Sequence, residues 1–88
     1  NFPNPFINST IISINLNCLT KSAIVNVSIF NLNGDLVNNL FNGELFKGNY
    51  SIRWDGCDNQ NNEVSKGVYI YKAIINNENY SGKIIKLE

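Results

Sequence analysis

Apolar and polar residues alternate along most of the chain, and this spacing is typical of strands with one buried face. Ile12, Ile14 and Leu16 fall on one side of the first run, with Ser13 and Asn15 on the other. Successive side chains of a strand point to opposite faces, so the pattern predicts strands rather than helices. The further expected core positions are Val25, Val27, Ile29, Tyr50, Ile52, Trp54, Tyr69, Tyr71, Ala73, Ile85 and Leu87, the last two opposite Lys83 or Lys86.

Turn-forming residues separate these runs at nearly regular intervals. They are Asn33-Gly34, Asn42-Gly43, Lys47-Gly48-Asn49, the polar stretch 55–66, and Asn76-Asn77. Asn-Gly favours the positive φ angles of a type I′ turn, so residues 30–37 are predicted to form a hairpin. A helix over residues 30–41 is the alternative, but Asn-Gly and Asn-Asn pairs interrupt it. The sequence therefore predicts an all-β fold, an antiparallel β-sandwich of about seven strands.

The length and the net charge of the chain exclude several classes of function. A chain of 88 residues hides only roughly 60–65% of its unfolded surface, which leaves little room for a deep catalytic cleft. Seven basic and seven acidic residues give a net charge of zero, so nucleic acid is a poor partner. Histidine is absent, and no apolar run is long enough to span a bilayer. We expect a non-catalytic domain with no cofactor, no metal ligand and no membrane span.

The polar stretch after Trp54 contains the densest group of candidate cation ligands. Asp55 and Asp58 resemble the start of a calcium loop, but the spacing puts Cys57 and Gln60 at ligand positions and lacks the required glycine. The alternative interpretation is structural. The two carboxylates would accept hydrogen bonds from loop amides, while Gly56 and Asn61 adopt left-handed backbone angles.

Cysteines and aromatic residues offer two weaker signals. Counting strand reversals places Cys18 and Cys57 near opposite ends of the sandwich, beyond the roughly 4.4–6.8 Å that a disulfide allows between α-carbons. Two free thiols are therefore favoured over one disulfide. The rings of Trp54, Tyr50, Tyr69 and Tyr71 fall on the predicted core face, so a sugar-binding strip would have to use Phe41, Phe46 or Tyr80.

Five ordered motifs together resemble one known family along essentially the whole chain. They are Asn1-Phe2-Pro3-Asn4-Pro5-Phe6 with Ser9-Thr10-Ile11 at the start, residues 29–37, Trp54-Asp55-Gly56 with Asp58, Gly67-Val68-Tyr69-Ile70-Tyr71, and Lys83 to Leu87. This combination resembles the type A C-terminal sorting domain of the bacterial type IX secretion system, a family related to the Ig-like domain of the flagellar hook-capping protein. Asn61 stands where that family has a glycine in its central loop.

The resemblance implies an Ig-like sandwich at the C-terminus of a secreted or surface protein from a Bacteroidetes-type organism. Residues 1–88 would form one such domain, preceded by a cargo domain. The residues that match the terminal sorting motif are Lys83, Ile85, Lys86 and Leu87. Matches to structural motifs are Pro3, Asn4, Pro5 and Phe6 in the opening, Trp54, Asp55, Gly56 and Asp58 in the central turn, and Gly67 and Tyr69 at a strand start.

The leading functional hypothesis is a sorting and cell-surface attachment module. It would pass through the periplasm, be recognised by secretion machinery at the outer membrane, and act outside the cell. Two alternatives remain open from the residues. One is a structural or assembly module, such as a surface-fibre subunit or hook-cap-like domain that self-associates through edge strands. The other is a carbohydrate-binding accessory domain.

Overall fold

Seven strands make up the regular structure of the part of the chain that the structure describes. A computed structural model describes residues 4–17 and 20–88, and in this part of the chain every regular element is a strand. The strands are β1 (Asn4–Phe6), β2 (Thr10–Asn15), β3 (Ala23–Asn31), β4 (Leu36–Leu45), β5 (Asn49–Trp54), β6 (Gly67–Ile75) and β7 (Glu78–Lys86). The prediction of an all-β fold is confirmed, and the helical alternative over residues 30–41 is wrong.

The strands form two sheets of unequal size. One has five strands in the order β1-β7-β6-β3-β4, and the other contains only β2 and β5. All pairs are antiparallel except β1 with β7, which run parallel. That exception departs from the predicted antiparallel arrangement. It arises because the chain leaves β1 for the other sheet instead of turning back along the same one, so no reversal of direction is imposed.

The core lies between the two sheets and uses the positions that alternation predicts. Ile12, Ile14 and Leu16 of the β2 segment are buried against Val25, Val27 and Ile29 of β3 and their neighbours. Trp54, Tyr69 and Ala73 complete the buried set from β5 and β6, and Tyr50, Ile52 and Tyr71 pack at its margin. Facing sheets of this kind bury alternate residues of every strand, which is why period-two spacing located the core.

The last strand departs from the predicted core pattern. Ile84 and Lys86 face the core and are 1% and 2% exposed, whereas Leu87 is 49% exposed and Ile85 is half-buried on the other face. The placement of Ile85 and Leu87 in the core is therefore wrong by one residue. The two-residue turn after β6 sets Ile75 opposite Glu78, and this register carries Ile84 to the position opposite the buried Tyr69.

The turns follow the sequence signals unevenly. Asn76 and Asn77 have φ angles of 48° and 71°, as a type I′ turn requires. At Asn33-Gly34 only Gly34 has a positive φ, so the predicted type I′ geometry is wrong there. The Asn31 side chain instead accepts hydrogen bonds from the backbone N–H groups of Asn33 and Asp35, and the Asn31 N–H donates to the Asp35 carbonyl oxygen.

The Asn42-Gly43 pair is not a turn. It lies inside β4, where Asn42 and Gly43 pair with Asn26 and Val25 of β3. The ring of Phe41 lies close to Gly43, and a Cβ atom at that position would come within 3.3 Å of the ring. A glycine inside a strand that another group approaches closely explains this false turn signal.

Candidate recognition site at the C-terminal strand

The terminal strand that carries the sorting-like motif is held on both edges. Residues 84–86 of β7 pair with Gly67–Tyr69 on one side and with Asn4–Phe6 of β1 on the other. The Leu87 N–H donates to the Phe6 carbonyl oxygen over 2.8 Å. Pro5 lies in β1, which is an edge strand of the five-stranded sheet among the described strands, while Pro3 lies outside the described residues. Because the backbone N–H and C=O groups of this stretch are already hydrogen-bonded to strands on both sides, a partner would recognise it through its side chains.

Two residues of the terminal motif lie on the outer face of the five-stranded sheet. Lys83 is exposed and sits opposite Ile70, while the half-buried Ile85 sits opposite Val68. Ile70 pairs in turn with Phe30 of β3, and the Lys72 ammonium lies 5.0 Å from the centroid of the Phe30 ring. We call this set the outer patch; its members are Phe30, Val68, Ile70, Lys72, Lys83 and Ile85.

The outer patch combines apolar side chains with positive charge. Its four apolar members are each only half-buried, and both charged members are lysines. Leu32, which is 68% exposed, extends the apolar surface at the β3–β4 loop beside an open depression of about 220 Å³. A contiguous apolar surface bordered by charge is typical of a protein-binding site.

Lys86 belongs to the interior instead. Its side chain is 1% exposed, and its ammonium group lies 3.0 Å from Oε2 of Glu63, whose side chain is 71% exposed. The same ammonium also donates to the carbonyl oxygen of Glu88. These contacts compensate the buried charge, as a buried lysine requires. The motif residues Lys83, Ile85, Lys86 and Leu87 therefore do not form one surface, because Lys86 contributes to packing.

Beneath the terminal strand, Trp54 joins several elements of the fold. The indole is 0% exposed, and its Nε1–H donates to the Cys57 carbonyl oxygen over 2.9 Å. Its ring lies 5.4 Å from the Phe6 ring of β1 and 5.2 Å from the Tyr69 ring of β6, the latter edge-to-face. The Tyr69 hydroxyl donates to the Ser65 carbonyl oxygen over 2.6 Å. Aromatic pairs of this geometry add stability beyond the area they bury.

Gly56 allows the Lys86 side chain to pack against the central turn. Its φ is +80°, and a Cβ atom would lie 2.8 Å from Cε of Lys86 and 3.6 Å from the Phe6 ring. An L-residue is strained at this φ, and a side chain would also displace Lys86 from Glu63. The resemblance placed Gly56 in a structural motif, and the contact with Lys86 gives the physical reason.

The central turn has the structural organisation proposed as the alternative to a calcium site. Oδ1 of Asp55 accepts from the Cys57 N–H, and Oδ1 of Asp58 accepts from the N–H groups of Gln60 and Asn62. Asn61 has a φ of 65°. The predicted role of these carboxylates as acceptors for loop amides is confirmed. Across residues 4–17 and 20–88 no three carboxylate, thiol or imidazole groups come together in a metal-binding arrangement.

Cys57 has a free, half-buried thiol in this turn. Burial raises the pKa of the Cys57 thiol above its ordinary value, and the negative charge of Asp55 raises it further. The thiol therefore stays protonated at neutral pH, a state in which it is a poor nucleophile. Cys18 lies outside the described residues, so the predicted placement of the two cysteines at opposite ends stays a prediction.

The aromatic residues separate into core and surface groups. Trp54 and Tyr69 are buried, and Tyr50, Tyr71 and Phe41 pack partly against the core, as predicted for all but Phe41, which the sequence left unassigned. Phe46 and Tyr80 are 65% and 51% exposed.

Among the described residues, no helix of a length and apolarity suited to crossing a bilayer is present.

Sequence reasoning missed two parts of this site. Nothing in the local pattern showed that Lys86 and Glu63 would meet, because they are 23 positions apart and both are residues that normally face water. The outer patch did have a signal. Val68 and Ile70 alternate with Tyr69 and Tyr71, so both faces of this run are apolar, and one of them had to lie outside the core.

The fold and the outer patch define the protein as an Ig-like β-sandwich module whose outer sheet face carries apolar side chains and two lysines. The family model of the FlgD Ig-like domain matches residues 6–79, and the chain belongs to that family. A crystal structure of dimeric latent PorU from Porphyromonas gingivalis matches with a TM-score of 0.77 and 24% identity, over 98% of this chain and 9% of that one. This likeness shows the shared fold. The sequence matched none of the curated proteins compared with it.

Replacing Gly56 tests the packing of Lys86 on the central turn. Gly34→Ala is the matched control, because Gly34 has a φ of +87° but nothing within 4 Å of its added Cβ atom. We expect the control to lose about 1–2 kcal/mol of unfolding free energy from backbone strain alone. Gly56→Ala should lose at least about 1 kcal/mol more, because the added methyl group displaces Lys86. Urea denaturation of the two variants measures the difference, and equal losses would contradict this account.

Substitution of Lys86 separates its packing from its charge. Lys86→Met keeps most of the aliphatic stem and leaves Glu63 in water, so its cost in unfolding free energy should stay within about 1 kcal/mol. Lys86→Ala empties the space above Gly56 and should cost about 2 kcal/mol or more. Guanidinium denaturation checks both values. If the methionine variant is as unstable as the alanine variant, the charge and not the packing is what the fold requires.

Proposed function

We propose that this chain is a non-catalytic C-terminal sorting and cell-surface attachment module that the type IX secretion machinery recognises. The proposal rests on one observation: the residues of the terminal motif are divided between the two faces of β7. Lys83 and Ile85 are displayed on the outer patch, while Lys86 and Ile84 fix the strand to the core. A folded sorting signal of this kind presents its recognition side chains on a rigid strand. Binding then carries no entropic cost of ordering that strand.

Three further features support this proposal. The motif resemblance covers essentially the whole chain and ends in the segment that forms β7. Membership of the FlgD Ig-like family and the fold shared with part of PorU fit the Ig-like sandwich that the resemblance implies. The outer patch also contains two lysines and four apolar residues, which suits a protein partner with an acidic rim.

The proposal also specifies the binding partners of the domain and the place where it acts. The partners are secretion proteins at the outer membrane and a cargo domain covalently linked before residue 1. The domain acts at the cell surface or outside the cell, after passage through the periplasm. Leu87, which is 49% exposed beyond the end of β7, would contribute to the same contact as Lys83 and Ile85.

A secretion assay tests the proposal directly. Residues 1–88 are fused to the C-terminus of a periplasmic reporter in a host with a type IX system, and surface and medium fractions are assayed for the reporter. We expect export, and we expect the double variant Lys83→Glu/Ile85→Ser to leave most of the reporter in the periplasm because it reverses charge and polarity on the outer patch.

The matched control for this assay is Lys86→Met, which changes a lysine of the same motif on the buried side of β7. It should be exported like the native fusion. Circular dichroism of each purified domain ensures that loss of export is compared only between folded proteins. Periplasmic retention of the native fusion would refute the sorting role, and equal export of the double variant would refute the assignment to the outer patch.

An assembly module is the second candidate, and membership of the FlgD Ig-like family favours it. In that case the domain would associate with copies of itself or with other structural subunits through its edge strands. Sedimentation velocity of the isolated chain distinguishes the two: a sorting module should remain monomeric at micromolar concentration. Concentration-dependent growth into larger species, with ordered filaments in electron micrographs, would favour assembly.

A further inference from the structure

An open groove runs between β2 and the first half of β7. Its volume is about 510 Å³, and its floor includes Ile12, Ile14 and Leu16 from the β2 segment and Tyr71, Ala73 and Ile75 from β6. The groove lies at the side of the sandwich opposite the edge formed by β4. Neither the family resemblance nor the proposed sorting role uses it.

Unequal sheet sizes explain why this groove exists. Five of the described strands face two others, so part of the inner face of the larger sheet has no described strand opposite it. Tyr80 shows the effect most clearly. It pairs with Ala73, which is 4% exposed, and lies on the same inner face, yet Tyr80 itself is 51% exposed. An inner-face aromatic residue that remains half in water marks a place that no described element covers.

The outer edge of β2 borders this groove and faces no strand of the described chain. β2 pairs with β5 alone among the described strands. The Leu16 N–H donates to the Gly48 carbonyl oxygen next to β5, and the burial alternation is regular from residue 10 to residue 16. Backbone groups alternate in direction along a strand, so those of Ile14 and Ile12 face β5, whereas those of Ser13 point away from it.

The sequence of β2 does not protect this edge. Strand edges are commonly blocked by lysine, proline or a bulge, and the run from Ile7 to Asn17 contains no charged residue, proline or glycine. Ile11 on its outer face is 50% exposed. An edge with these properties is a template for strand addition, in which main-chain hydrogen bonds give affinity and alternate side chains fill pockets.

We propose that this groove binds an extended segment of a second polypeptide, which adds to β2 as a third strand of the smaller sheet. Alternate apolar side chains of the segment enter the groove above Ala73 and beside Tyr80. Glu78 is the charged residue among those that line the groove, and the segment carries a basic residue near it. The inference does not depend on the proposed sorting role.

The groove favours an extended segment over a second copy of this domain. A second copy could offer its own β2 edge, but Ile12 and Ile14 of that strand are already packed in its own core and are 6% and 5% exposed. They would not be available to fill the groove. A segment outside any folded core has both faces free, so one face can enter the groove while the other remains in water.

A peptide titration tests the proposal on the 88-residue chain. The probe is a fluorescent seven-residue peptide with valine at alternate positions, threonine between them and lysine at both ends. We expect saturable binding, and we expect Ser13→Pro to weaken it at least tenfold by removing an edge donor. Pro is tolerated at an edge position whose N–H faces away from the ladder, so the fold should persist. Ser13→Ala is the matched control and should bind like the native chain.

A second pair of variants tests the groove without a change in the backbone. Tyr80→Arg places a positive charge beside the site of the basic residue and should weaken the lysine-ended peptide at least tenfold. Phe46→Arg is its matched control, because Phe46 is similarly exposed but lies outside the groove. A glutamate-ended peptide should bind severalfold more weakly than the lysine-ended one, and Glu78→Gln should remove most of that difference.

Several outcomes would overturn the inference. One is absence of binding up to about 1 mM peptide, which corresponds to an affinity too weak for a strand-addition site. Another is equal binding by the Tyr80→Arg and Phe46→Arg variants. A third is dimerisation of the chain that Ser13→Pro abolishes and that the peptide fails to disrupt, because β2 would then serve a second copy. Export of the reporter fusion is measured separately, so failure here is distinct from failure of the sorting role.

Discussion

The fold depends on the burial of Trp54 where the smaller sheet meets the terminal strand and the central turn. The indole contacts Phe6 and Tyr69 and donates its hydrogen bond to Cys57, so β1, β5, β6 and the turn are joined at one place. Lys86 packs next to this cluster above Gly56 and brings β7 into it. A domain this small buries only part of the surface of its unfolded chain, and aromatic pairs of this geometry stabilise it beyond the area they bury.

The requirement to close this cluster explains the organisation of the terminal strand. Ile84 and Lys86 must face inward to cover the core, and period two then places Lys83 and Ile85 on the outer face. Structural and recognition roles therefore fall on alternate residues of one strand. The proposed sorting surface and the hydrophobic core share the five-residue stretch from Lys83 to Leu87 without competing for the same side chains.

The unequal size of the two sheets has a consequence at the other end of β7, near Glu78 and Tyr80. The cluster around Trp54 is fully covered because β1 and the central turn close it, whereas no described element covers Tyr80. The smaller sheet thus buries the centre of the larger one and leaves one margin in water. Stability comes from the closed side, and the open side provides the groove proposed to accept a further strand.

Alternation by itself determined the all-β class and most of the core, because these follow from local spacing. The backbone preferences of glycine and asparagine favoured a structural role for the central turn, and the hydrogen bonds of the folded loop decided it. The face of β7 was decided only by the tertiary structure, since the Asn76-Asn77 turn sets a register that the ambiguous run from Lys83 to Leu87 does not encode. The Lys86–Glu63 pair, the parallel β1–β7 contact and the open groove also depend on how distant segments meet. Residue spacing carries no information about such contacts, because they are fixed by the packing of one sheet against the other.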